Sequence, residues 1–216
     1  MNMKWSQQAW QAAEPVYQAI LRLPFVRELA NGTLPKEKFL FYLGQDAHYL
    51  DSYTRVLAHI ASRLTQKSAT EEFLKFATDG IAVERGLHES FLCGQTLPEI
   101  SPACLMYTSV LKATAFEDVA VEASSVLPCF WVYQKVGEHI LASAGALDAN
   151  PYARWINTYG DEYFAQATAR AISLCDDLAV ASTQAVRDTM TDIFITCTRM
   201  EWMFWDSAYN LEKWKI

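Results

Sequence analysis

Residues 36–64 read KEKFLFYLGQDAHYLDSYTRVLAHIASRL. Apolar residues recur in this stretch at intervals of three and four, the spacing that lines one face of a helix. Pro35 precedes it and is suited to a helix start. One long helix from Pro35 to about Leu64 is therefore expected. Within it Asp46, Tyr49 and Tyr53 fall at i, i+3 and i+7, on one stripe, among Phe41, Tyr42, Leu43 and Leu50. If that stripe faces the core, a carboxylate enters with it, and a buried charge needs a partner or a ligand. A solvated edge, or a hydrogen bond from Asp46 to a tyrosine, would satisfy the same pattern.

The helical period extends through the rest of the chain. Eight glycines and seven prolines punctuate it, and no alternating run reaches strand length. A first helix should run from Trp5 to about Leu23, bent or restarted at Pro15. A short one should start at Pro24 and end at the Asn31-Gly32 C-cap. Ser68-Ala69-Thr70-Glu71 has the form of a capping box and should open a helix reaching about Gly94. Ser101-Pro102 pairs an N-cap with a proline at the first helical position. A further helix should cover Phe116 to about Ala144, interrupted at Pro128. Asn150-Pro151 should open a short helix stopping at Gly160, with Asp161 to about Val180 following. Ser182 or Thr183 should cap a last helix ending near Asn210. No linker divides the chain. The expectation is one all-α domain over residues 1–216, a bundle or orthogonal variant of about eight helices.

The chain has 216 residues, 51% hydrophobic and 20% charged, enough for a sizeable core. A net charge of −7, with no run of Lys or Arg, argues against nucleic acid as a partner. No apolar run approaches the roughly 18 residues of a membrane span. The first ten residues contain no apolar core of a signal peptide. Five scattered cysteines without a CxxC argue against a disulfide framework or a zinc site and fit a cytoplasmic protein. No G-x-S-x-G, P-loop or G-x-G-x-x-G occurs, so a phosphate cradle or dinucleotide site has no support.

Residues 127–139, LPCFWVYQKVGEH, carry the first candidate for chemistry. If Pro128 breaks the helix, Cys129 lies in the first turn after the break. Unpaired N–H groups and the positive end of the helix dipole would then favour a thiolate. Tyr133 is at i+4, on the same face. A buried cysteine packed by aromatics is the competing account. Glu201, inside RMEWMFWDSAY, is surrounded by large apolar residues that would raise its pKa and suit it to proton transfer. Pairing with Arg199 would be the ordinary alternative. Tyr107 and Tyr159 are phenols near helix ends. Glu84 and His88, four apart, could enter a di-iron site, but the repeated E-x-x-H units of such bundles are missing. His48, His59 and His139 read as structural.

Taken together, FVRELANGTLPKEKFLFYLGQDAHYL, YTSVL, LPCFWVYQKVGE, WINTYG and MEWMFWDSAY, in this order, resemble the TenA, or thiaminase II, family over nearly the whole chain. The resemblance implies a haem-oxygenase-like helical bundle without a haem ligand, without cofactor or metal, and assembled as a homotetramer. It implies an aminopyrimidine aminohydrolase, which converts 4-amino-5-aminomethyl-2-methylpyrimidine to its hydroxymethyl counterpart in thiamine salvage and cleaves thiamine more weakly. Cys129 after Leu-Pro implies the cysteine-bearing branch. Carried over position by position, Cys129 matches the nucleophile and Glu201 the proton donor. Asp46, Tyr133 and Tyr159 match substrate-binding positions. Tyr49 matches the aromatic that makes the cysteine more nucleophilic, and Tyr107 another pocket tyrosine. His48 falls where the family varies. The residue chemistry agrees, since a flat, edge-polar ring wants aromatic faces (Tyr49, Tyr133, Phe130 or Phe204) and a carboxylate with phenols at its rim. A non-catalytic pyrimidine-binding protein and a di-iron oxidase on the same fold are the competing functions.

Overall fold

The computed structural model describes residues 3–91, 97–143 and 147–216, without the side chains of residues 83–85, 87–91 and 143. Among the described residues there are nine α-helices and no strand. They are α1 (Trp5–Leu21), α2 (Pro24–Ala30), α3 (Lys36–Arg63), α4 (Lys67–Phe91), α5 (Pro102–Ala113), α6 (Val119–Ser143), α7 (Ala153–Gly160), α8 (Glu162–Ala181) and α9 (Gln184–Tyr209). The all-α expectation holds, with the short α2 and α7 both separate helices.

Local chemistry explains most of the ends. Pro24 and Pro102 start α2 and α5, where a missing N–H costs nothing. The Ser101 hydroxyl accepts from the Cys104 N–H at 3.2 Å, Asp161 Oδ1 from the Phe164 N–H at 2.7 Å and the Thr183 hydroxyl from the Val186 N–H at 3.3 Å. Gly32, with φ of 71°, turns the chain after α2, a conformation that disfavours any residue with a Cβ. The helix expected to open at the Ser68 capping box begins one residue earlier, at Lys67. Its far end and Cys93 lie outside the described residues.

The helix does not restart at Pro15, and the interruption expected at Pro128 does not occur. Pro15 and Pro128 both sit inside unbroken helices. A proline in a helix interior costs about 3 kcal/mol relative to alanine, so packing must offset it. Around Pro128 it does. Val126, Leu127 and Val132 are buried, and Tyr53 of α3 donates to the Val126 carbonyl at 2.9 Å. The hydroxyls of Ser124 and Ser125 bond back to the Ala120 and Glu122 carbonyls, each at 2.7 Å, a pattern that accommodates local bending.

α6 is the axis of the molecule, packing against α3, α5, α7, α8 and α9, while α4 pairs with α3 and α1 with α9. One continuous core runs through these contacts, with Leu57, Ile60, Trp205 and Phe194 fully buried. Each such side chain is worth about 1.5–3 kcal/mol of apolar burial. The segment leading into α5 is tied to α3 by polar clasps. Gln45 Nε2 donates to the Glu99 carbonyl at 2.9 Å, and Gln45 Oε1 accepts from the Ser101 N–H at 2.7 Å. His48 Nε2 is 2.8 Å from the Pro98 carbonyl, which gives this histidine a structural role. Among the described residues no helix is long and apolar enough to cross a membrane.

Candidate active site

A cavity of about 120 Å³ opens between α3, α4, α6, α7 and α8. A cavity of this size is suited to a single small ring. α3 contributes Asp46, Leu50 and Tyr53 to its wall, and α6 contributes Cys129, Phe130 and Tyr133. Phe76 comes from α4, Tyr159 from α7 and Phe164 from α8. Asp46, only 3% exposed, is the carboxylate that the α3 stripe carries inward. The stripe faces the core, so the solvated-edge alternative fails.

Aromatic rings form the frame. Tyr133 packs on Tyr159 at 4.9 Å between centroids and on Trp205 at 4.9 Å. Phe130 packs on Phe76 at 5.0 Å. Such pairs fix ring positions beyond what area burial alone would do. Tyr42, fully buried, links two walls: its hydroxyl is 3.3 Å from that of Tyr133 and accepts from Trp155 Nε1 at 3.3 Å.

Tyr49, Tyr107 and Glu201 do not line the cavity; they back its Cys129 wall. Tyr49 packs on Tyr107 at 4.8 Å and on Phe204 at 5.8 Å. Phe204 thus supports the site from behind, whereas Phe130 faces the cavity. Tyr107 Oη donates to Glu201 Oε1 at 2.8 Å. Glu201 is 1% exposed, and its partner is this phenol, not Arg199. Burial pushes the Glu201 carboxyl up to about 8; the Tyr107 bond opposes this and the Asp46 charge adds to it. At neutral pH Glu201 is therefore mainly protonated.

Cys129 departs from expectation. It sits mid-helix, so no helix N-terminus acts on it. Burial pushes its thiol well above the ordinary value, and the charge of Glu201 adds to this. The neighbouring phenols of Tyr49 and Tyr53 work in the opposite direction; the Tyr53 hydroxyl is held by the Val126 carbonyl, and that of Tyr49 has no hydrogen-bond partner among the described residues. The resting group is a thiol, with two phenols ready to stabilise a thiolate once one forms. Burial likewise keeps Tyr49, Tyr107, Tyr133 and Tyr159 protonated, hence donors.

Four of the residues read from the sequence thus line the cavity, Asp46, Cys129, Tyr133 and Tyr159, and Tyr49 stands behind the Cys129 wall. Tyr107 and Glu201 form a bonded pair next to them. Sequence reading gave no role to Tyr42, Phe76 or Phe164. Tyr53 was visible on the Asp46 stripe, but its double contact to α6 was not. Nor did the sequence point to the cavity mouth, where Lys75 Nζ, Asp79 Oδ2 and the Tyr163 hydroxyl meet at 2.7–2.8 Å. Among the described residues no group of three or more His, Cys, Asp or Glu could hold a metal. The side chains of Glu84 and His88 lie outside the described residues.

The TENA/THI-4/PQQC family pattern matches residues 10–211. An aminopyrimidine aminohydrolase of Bacillus subtilis is 31% identical over 224 residues, covering 98% of this chain and 92% of that protein. The thiamine biosynthesis multifunctional protein ThiED of Corynebacterium efficiens is 34% identical over 206 residues. That match spans 92% of this chain but only 27% of the longer relative. A TenA homologue from P. horikoshii superposes with a TM-score of 0.85 at 28% identity, over 96% of this chain and 99% of that one. Haem oxygenase-1 of the cyanobacterium Synechocystis, with a TM-score of 0.62 at 12% identity over 95% of this chain and 92% of that one, shares the fold alone.

Proposed function

This chain belongs to the TENA/THI-4/PQQC family, and on that footing we propose that it is an aminopyrimidine aminohydrolase with Cys129 as nucleophile and Glu201 as proton donor. The substrate is 4-amino-5-aminomethyl-2-methylpyrimidine, the product its hydroxymethyl counterpart, and thiamine is a weaker substrate. The observation that carries this reading is the state of Glu201. A buried carboxyl lifted to about 8 and held by Tyr107 is an acid that can still give its proton at neutral pH.

The ring lies among Tyr133, Phe130 and Tyr159, with Asp46 at its polar edge. Cys129 sulfur adds to an electron-poor ring carbon, and its proton passes to the ring nitrogen that receives the electron pair. Tyr49 and Tyr53 stabilise the developing charge on sulfur. The aminomethyl arm reaches past Cys129 toward Glu201 behind that wall, and Glu201 protonates the amine as the carbon–nitrogen bond breaks, leaving an exocyclic methylene. Water adds there and gives its proton to the Glu201 carboxylate. The carbon–sulfur bond then breaks, and sulfur takes back the ring proton.

Ammonia release from the aminomethyl pyrimidine tests the assignment, with thiamine cleavage measured beside it. Tight binding of the pyrimidine with no release of ammonia would favour the non-catalytic reading. The same family footing supports a cytoplasmic homotetramer, which sedimentation of the purified protein tests.

A further inference from the structure

Cys129, Tyr133, Gly137 and Leu141 follow one another every fourth residue and so form one stripe along α6. The first two line the cavity. At the third the stripe has no side chain, and the end of α7 rests in the gap. A Cβ on Gly137 would lie 2.7 Å from the Tyr159 carbonyl carbon, 2.8 Å from its oxygen and 2.8 Å from the Gly160 nitrogen. These are backbone atoms, so no rotamer change relieves the clash; the corner between α7 and α8 must move. Leu141, fourth on the stripe, lies against Gly160 with the flexible end of its side chain.

That corner is a cavity wall. Thr158, Tyr159 and Asp161 line the cavity, and Phe164 follows one turn into α8. Tyr159 is seated with its ring 4.9 Å from Tyr133 and 4.7 Å from Trp155. The depth of the gap at Gly137 therefore sets how far the Tyr159 wall stands from the Cys129–Tyr133 wall. We propose that Gly137 is a positioning residue that fixes the width of the cavity through Tyr159 and so sets the preference for a small aminopyrimidine over bulkier substrates. The inference rests on the activity proposed above. If Gly137 serves only to let two helices approach, substitution lowers stability and leaves the ratio between substrates unchanged.

The experiment compares wild type with Gly137→Ala and Leu141→Phe. Leu141 is 37% exposed, and a larger side chain there presses on the same corner without entering the core. Steady-state kinetics are taken with the aminomethyl pyrimidine and with thiamine, and alkylation of Cys129 by iodoacetamide is followed by peptide mass spectrometry. The expected result for Gly137→Ala is a rise of about ten-fold in KM for the aminomethyl pyrimidine, with kcat changed less. The thiamine-to-pyrimidine ratio of kcat/KM should rise at least about three-fold. Cys129 should alkylate faster than in wild type, because the wall has moved away from it. Leu141→Phe should shift both readouts in the same direction, and it carries the test if Gly137→Ala does not fold. Unchanged substrate ratio and unchanged alkylation in the folded variants would overturn the proposal. If wild type turns over neither substrate, the proposed activity is what fails, and the alkylation rates still decide whether Gly137 sets the width.

Discussion

The Tyr107 hydroxyl donates a 2.8 Å hydrogen bond to Glu201, joining α5 to α9 inside the core. That bond stabilises the carboxylate, while burial favours the neutral acid more strongly and brings the group to about 8. With the proton-donor role proposed above, this one buried acid would set both the pH response and the catalytic step.

Glu201→Gln should reduce turnover by about 10²-fold or more, the usual scale for loss of a general acid. In wild type the rate should fall as pH rises past about 8, since the acid form is then lost. A pH–rate profile of both proteins checks this; a Gln variant with near-normal turnover would remove Glu201 from the mechanism.

The same group makes stability depend on pH. Its folded pKa lies above the unfolded value of 4.5, so its stabilising contribution is complete below about 4.5 and is lost as pH rises through about 8. Glu201→Gln should flatten that decline. Urea denaturation at pH 5, 7 and 8.5 measures it.

Tyr107→Phe removes the interaction that lowers the Glu201 pKa. The alkaline limb of the rate profile should shift upward in pH. Stability should fall by about 1–3 kcal/mol when the bond is lost, because Glu201 remains buried with one partner fewer. An unchanged alkaline limb would mean that another group controls it.

Cys129→Ser should abolish measurable turnover. In wild type, alkylation of Cys129 at pH 7 should be slower than that of an exposed cysteine, because burial holds the thiol protonated. Hydroxymethyl pyrimidine in the cavity should slow it further. Unhindered alkylation in saturating ligand would place the ligand elsewhere.

Gln45→Leu should cost about 2 kcal/mol, since the Glu99 carbonyl and the Ser101 N–H both lose their partner. The clasp also sets α5, and with it Tyr107, against α3. Thermal melting and the pyrimidine KM should therefore change together.

The helices were legible from period and punctuation. Pro24, Ser101-Pro102, Asp161 and Thr183 act where they stand in sequence, because caps depend on neighbours within three residues. The Asp46 stripe was legible too, since helical spacing fixes which residues share a face. Pro128 was misread for the same local reason. Its missing N–H predicts a break, and only contacts from distant residues, Tyr53 among them, hold the helix through it. The thiolate expected at Cys129 rested on that break; the group is a thiol because burial is set by what packs around a residue and not by its neighbours in the chain. Partners separated by 94 residues, as Tyr107 and Glu201 are, leave no periodic trace. The sequence by itself determined an all-α chain, the helical stripe that carries Asp46 and the motifs of its family. Only the tertiary structure decided that the Asp46 stripe faces the core, which phenol holds Glu201, that Cys129 rests as a thiol, and that the absent side chain of Gly137 lets the Tyr159–Gly160 backbone rest against α6.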